Sequence, residues 1–133
     1  MNIYCRILLG FVGINGALAT ALAAAASHSA VMVANPYLTQ VFAKASAMNF
    51  YHLLALLGLA AWYQLTGARR WLVSAGFFAL GIILFCGPLY LFSFGGAKIA
   101  GILTPIGGAC FILGWLALLL AAVLTNKVTS RES

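Results

Sequence analysis

Acidic side chains are almost missing from this chain: of its 133 residues one is Asp or Glu, and that one is Glu132, next to the last. Paired-carboxylate catalysis needs two such groups and the proton relays of pumps need several, so both are excluded. A serine–histidine–acid triad lacks its acid. Charge of either sign is scarce, at 6% of residues against 65% hydrophobic, with a mean hydropathy of +1.09. A soluble domain of this length needs far more polar surface, so lipid is the solvent for most of the chain. The three cysteines, Cys5, Cys86 and Cys110, form no Cys-x-x-Cys pair and no metal-ligand spacing. That leaves no disulfide framework and no redox motif. Phosphate-cradling glycine loops and nucleophile elbows are absent too.

What is present is a single domain of four long apolar runs, separated by the few polar and charged residues. The net charge of +6 comes from Arg6, Lys44, Arg69, Arg70, Lys98, Lys127 and Arg131, set in ones and twos. Scattered in this way they make no basic face for nucleic acid. They do fit the positive-inside rule. With the N-terminus inside, five (Arg6, Arg69, Arg70, Lys127, Arg131) gather on the cytoplasmic side and two (Lys44, Lys98) outside. Both termini are therefore expected in the cytoplasm. Arg6, the run after it and Ala24-Ala25-Ala26-Ser27 loosely resemble a signal peptide, but the segment reads as a retained first span.

The sequence predicts an all-α integral membrane bundle with spans at about 7–27, 50–66, 71–94 and 105–125. In the first span Gly10, Gly13, Ala17, Thr20, Ala21 and Ala24 share a stripe, in register with His28. Small residues let helices approach closely in lipid, so that stripe is expected to face the bundle. Gly87, Gly107 and Gly108 are the packing glycines expected in the third and fourth spans. Asn35-Pro36 reads as a cap and first helical residue. It opens an amphipathic connector, or the exposed start of a long second span. Pro88 is expected to kink the third span by removing the bond to the Leu84 carbonyl. Thr104-Pro105 reads as a second cap pair, leaving 95–103 as an irregular apolar loop; a weaker alternative starts that helix at Ala97.

Few residues are left to carry chemistry. His28 lies 22 residues beyond Arg6, about 33 Å along a helix, and His52 lies 17 residues before Arg69, about 26 Å. Both are expected near the outer face, close together. Neutral imidazole can ligate metal or haem or shuttle a proton. The plainer reading has each ring bonded to a backbone carbonyl, a hydroxyl or an amide such as Asn49. Cys86 and Cys110 also fall in the outer halves of their spans, without a ligand signature.

Taken together, Ala26-Ser27-His28, Tyr51-His52-Leu53-Leu54-Ala55-Leu56-Leu57, Gly81 through Tyr90, and Thr104-Pro105-Ile106-Gly107-Gly108 with Gly114-Trp115 resemble a known pattern. It is that of the small bacterial membrane-protein family filed as domain of unknown function 423, over about Leu8 to Leu119. The resemblance implies four inner-membrane spans and no settled activity. It also implies that His28 and His52 match the family's motif, whereas Cys86, Cys110 and Pro88 are particular to this chain.

The function expected is therefore that of a non-catalytic structural or accessory membrane subunit. It would need no cofactor and would pack against lipids, a larger membrane-protein complex or further copies of itself. Two alternatives stay open: a haem, metal or quinone-like ligand held by His28 and His52, and an oligomeric small-solute pore or transporter.

Overall fold

The computed structural model describes residues 1–96 and 98–129, with side chains described as far as Thr125. Arg131, Glu132 and the alternative helix start at Ala97 lie outside the described residues, as does the side chain of Lys127. The fold is all helical among the described residues, and four of its helices are long and apolar enough to cross a membrane.

Each helix begins and ends on recognisable chemistry. Asn2 caps α1 (Ile3–Ala26), its side-chain oxygen accepting from the Tyr4 N–H at 3.0 Å. Ser29 does the same for the short α2 (Ala30–Ala34), accepting from the Met32 N–H. Asn35 then caps α3 (Pro36–Thr66), which has Pro36 in its first turn, where a missing N–H costs nothing. At 31 residues α3 is about 46 Å long, more than the hydrocarbon core requires, so the amphipathic stretch after Asn35 is its protruding start. Gly67, at φ 64°, closes it in the left-handed conformation that glycine adopts without strain.

The third span is built in three pieces: α4 (Arg70–Gly81), a π-helical turn (Ile82–Cys86) and α5 (Gly87–Ser93). The helix widens just ahead of Pro88, which has no N–H to give, and the Gly87 N–H reaches back to the Ile82 carbonyl. The π turn thus absorbs the proline. A left-handed Gly95 ends α5, with Gly95 N–H to Phe92 O at 3.0 Å and Gly96 N–H to Leu91 O at 2.8 Å satisfying the last carbonyls.

The fourth span corrects the expectation of a helix start at Pro105. Here α6 (Ala100–Thr129) is already helical five residues earlier, with Pro105 inside it. The proline's missing donor falls in the second turn, and the carbonyl left over belongs to Gly101. Thr104 does not act as a cap, since its hydroxyl is buried without a partner.

Assembly is pairwise. The Asn2 N–H meets Gln64 Oε1 at 3.3 Å and the Cys5 thiol meets the Ala60 carbonyl at 3.7 Å, so α1 runs antiparallel along α3. α6 packs on α4 and the π turn, and α3 contacts α4 and α5. α3 and α6 themselves make little backbone contact and flank an open trench. Phe78, Leu56 and Ile82 fill the centre.

Packing also corrects two sets of small-residue expectations. On α1 the buried or half-buried positions are Cys5, Leu8, Leu9, Phe11, Val12, Asn15, Gly16, Ala19, Leu22 and Ala26, whereas Gly10, Gly13, Ala17, Thr20, Ala21 and Ala24 are all exposed. A Cβ added at Gly10, Gly13 or Gly87 would meet nothing within 4 Å. The glycines that let helices touch are Gly107, as expected, and two the sequence reading did not single out, Gly81 and Gly114. At Gly107 a Cβ would come within 2.4 Å of the Phe85 backbone, and at Gly81 and Gly114 it would strike the rings of Phe111 and Phe78 at 2.5 Å. Gly108 makes ordinary contact with Phe85 at 3.8 Å.

Candidate functional site

His52 sits on α3 facing the floor of the trench, 3% exposed. Helical spacing on α6 brings Phe111 and Trp115, four residues apart, to the same face. Phe111 stacks on the imidazole at 3.7 Å between centroids and 12° between planes, while Phe78 of α4 meets it edge-on at 5.1 Å. These rings reach the histidine because Gly81 and Gly114 leave them room.

Both imidazole nitrogens are engaged. Nδ1 lies 2.7 Å from the Met48 carbonyl, which only accepts, so Nδ1 carries the proton. Nε2 then accepts from the Trp115 indole N–H at 3.2 Å. The result is a neutral ring of fixed tautomer joining α3 to α6 across the trench. A metal or haem iron at Nε2 would have to displace Trp115, and any proton moved through this ring would have to break one of the two bonds. The arrangement is suited to holding helices together.

His28 lies elsewhere. A Cβ on Gly16 would touch Leu53, next to His52, at 4.0 Å; His28 follows twelve residues later, about 18 Å further along the bundle. It is exposed just past the end of α1. The structure does not bring the two histidines together, and Asn49 bonds to neither. The expectation failed because α1 and α3 run past one another from opposite ends, and α3 begins well before residue 50.

Asn49 belongs to a second polar cluster that sequence reasoning missed. Only 1% exposed, it donates from Nδ2 to the Tyr90 hydroxyl at 3.2 Å, which donates in turn to Ser46 Oγ at 3.4 Å. Its Oδ1 and that of Asn15 have no protein donor. Both asparagines line a small cavity of about 80 Å³ between α1, α3 and the π turn, with Cys86 and Tyr90. Space on that scale has room for two or three waters at ~30 Å³ each. The signal available in the sequence was Asn15 itself, a lone amide in the middle of an apolar run.

Cys5, Cys86 and Cys110 are buried and separate. No three His, Cys, Asp or Glu side chains gather among the described residues.

Comparison with known proteins places the whole chain. The family model described as Protein of unknown function (DUF423) matches residues 22–108. The UPF0382 inner membrane protein YgdD of Escherichia coli (strain K12) is 31% identical over 128 residues, covering 96% of this chain and 98% of that protein. The UPF0382 membrane protein YwdK of Bacillus subtilis (strain 168) is 34% identical over 119 residues, covering 88% and 94%. The UPF0382 membrane protein SAB0533 of Staphylococcus aureus (strain bovine RF122 / ET3-1) is 34% identical over 119 residues, covering 86% and 92%. No solved structure matches the chain.

Proposed function

The chain belongs to the family of membrane proteins described as Protein of unknown function (DUF423), and from that premise we propose that it is a non-catalytic structural component that assembles with itself in the bacterial inner membrane. The observation that carries this reading is the outward face of α1. Gly10, Gly13, Ala17, Ala21 and Ala24 lie there uncovered, on the span with the smallest buried share of the four. The outward face of α6 is built instead from Ile102, Ile106, Ile112, Leu116, Leu119 and Leu120, the bulky side chains that lipid solvates well. Ile7, Ile14 and Leu18 are exposed on this side of α1 as well, but where the small residues run, a helix gains little against acyl chains and more against another helix, because backbones then approach closely. Gly13, Ala17 and Ala21 recur at every fourth residue, the small-xxx-small spacing of helix pairs in membranes.

The occupant we assign to this face is α1 of a second copy, giving a two-fold interface in which each stripe meets its equivalent. Light scattering of the protein in mild detergent tests it. The wild type is expected to be a dimer and Gly13→Leu a folded monomer; a wild-type monomer would refute the proposal.

The orientation we assign puts the end carrying Arg6, Arg69 and Arg70 in the cytoplasm and the end carrying Lys44 and Lys98 outside. A cysteine at the exposed Gln40 is then labelled by a membrane-impermeant reagent in intact cells. Labelling only after permeabilisation reverses the orientation.

A further inference from the structure

The trench between α3 and α6 continues along most of the bundle. Its outer stretch, about 460 Å³, is lined by Tyr37, Val41, Lys98, Thr104 and Pro105 among others. Pro105 also lines the middle stretch of about 790 Å³, which passes Met48, His52 and Ala109 to Trp115. Trp115 in turn borders an inner stretch of about 430 Å³ that reaches Trp62 and Ala122. From Thr104 to Trp115 is about 16 Å of helical rise, roughly one leaflet of a ~30 Å hydrocarbon core.

Charge is confined to the outer mouth. Lys98 lines it. Lys44, exposed, falls three residues after Val41 and four before Met48, so it lies on the same stripe of α3 as these two trench residues. Among the described residues these are the lysines of this end of the bundle; Lys98 lines the groove, Lys44 lies on the α3 stripe that borders it, and no carboxylate is among the lining residues. The Thr104 hydroxyl, buried in the wall of this mouth, has no partner. A positively charged entrance above a long apolar channel matches a phosphate on an acyl chain.

We propose that this trench is a binding site for an anionic phospholipid, with the headgroup phosphate between Lys44 and Lys98 and one acyl chain lying past Pro105 and Ala109 toward Trp115. Ammonium groups near a membrane surface each favour anionic lipid. The trench walls hold the chain against Phe111 and Ile112 as a packed ligand.

The test is thermal unfolding of the purified, delipidated full chain in detergent, titrated with phosphatidylglycerol or with phosphatidylcholine of identical chains. A ligand of the folded state raises the transition saturably, and the midpoint of that rise gives its affinity. Phosphatidylglycerol is expected to bind about tenfold more tightly than phosphatidylcholine, and the Lys44→Ala/Lys98→Ala double variant to bring the two within about twofold. Ala109→Trp, on the exposed trench wall, should remove the saturable rise while leaving the lipid-free transition in place. Arg69→Ala, at the other end, should change nothing. Equal affinities in the wild type, an unaltered preference in the double variant, or an equal loss in Arg69→Ala would each overturn the proposal. So would a full response to inorganic phosphate alone, which would leave the chain without a role.

Discussion

Two sets of glycines in this molecule carry the same sequence signature and meet opposite fates. Gly81, Gly107 and Gly114 are pressed into the contact between α6 and the third span, where Phe85, Phe111 and Phe78 occupy the space a side chain would need. Gly10 and Gly13 of α1 look out of the bundle with nothing within 4 Å of a Cβ. The difference lies in the partner. A glycine packs internally when the facing helix brings a large ring or a close backbone to it, and at Gly10 and Gly13 no neighbour does so. The internal glycines make the fold; those of α1 are the ones the proposed assembly uses.

Substitutions across the two sets break or sharpen that contrast. The largest effect is expected at Gly107→Leu, where the added carbon meets backbone atoms that cannot yield. A loss of about 3 kcal/mol or more should abolish the cooperative unfolding transition in detergent. Gly114→Ala comes next. Its methyl would strike the fully buried Phe78 ring, costing about 1–3 kcal/mol, and Phe78→Leu in the same chain should recover part of that loss. Trp115→Phe keeps an aromatic ring but takes the donor from His52 Nε2. About 1 kcal/mol is expected, and little further loss when His52→Phe is added, as a double-mutant cycle would read. At the small end, Gly13→Leu should leave the unfolding transition of the monomer within ~0.5 kcal/mol of the wild type. If it destabilises the fold as Gly114→Ala does, the two sets of glycines are not different.

Much of this architecture was legible from one sequence because hydropathy and caps are local. Asn35-Pro36 opens α3 as its residues announce, and the four apolar runs are the four long helices. Direction was harder to read. Angular spacing found the stripe from Gly10 to Ala24, but a stripe has no sign until its neighbour is known. The start of α6 was misread because Thr104-Pro105 has the composition of a cap. A helix tolerates a proline near its first turn, and Ala100 to Leu103 are helical ahead of it.

The histidines failed for a reason of geometry: depth was counted from the charged ends, which ignores how far α3 extends beyond the core. The true partner of His52 is Trp115, 63 residues away, and no spacing rule connects the two. The Asn15–Asn49 cavity depends likewise on the register of α1 against α3, which only three-dimensional packing defines.

The central claim is that the outward face of α1 is covered by α1 of a second copy. Its most direct test is oxidative cross-linking of Ala17→Cys in native membranes, since a disulfide forms only when two Cβ atoms come within about 3.5–4.5 Å. The native cysteines are all buried, so the wild-type chain serves as the uncross-linked control. The account predicts a covalent dimer from Ala17→Cys and none from Leu119→Cys on the outward face of α6. A dimer from Leu119→Cys alone, or none from Ala17→Cys, would contradict it.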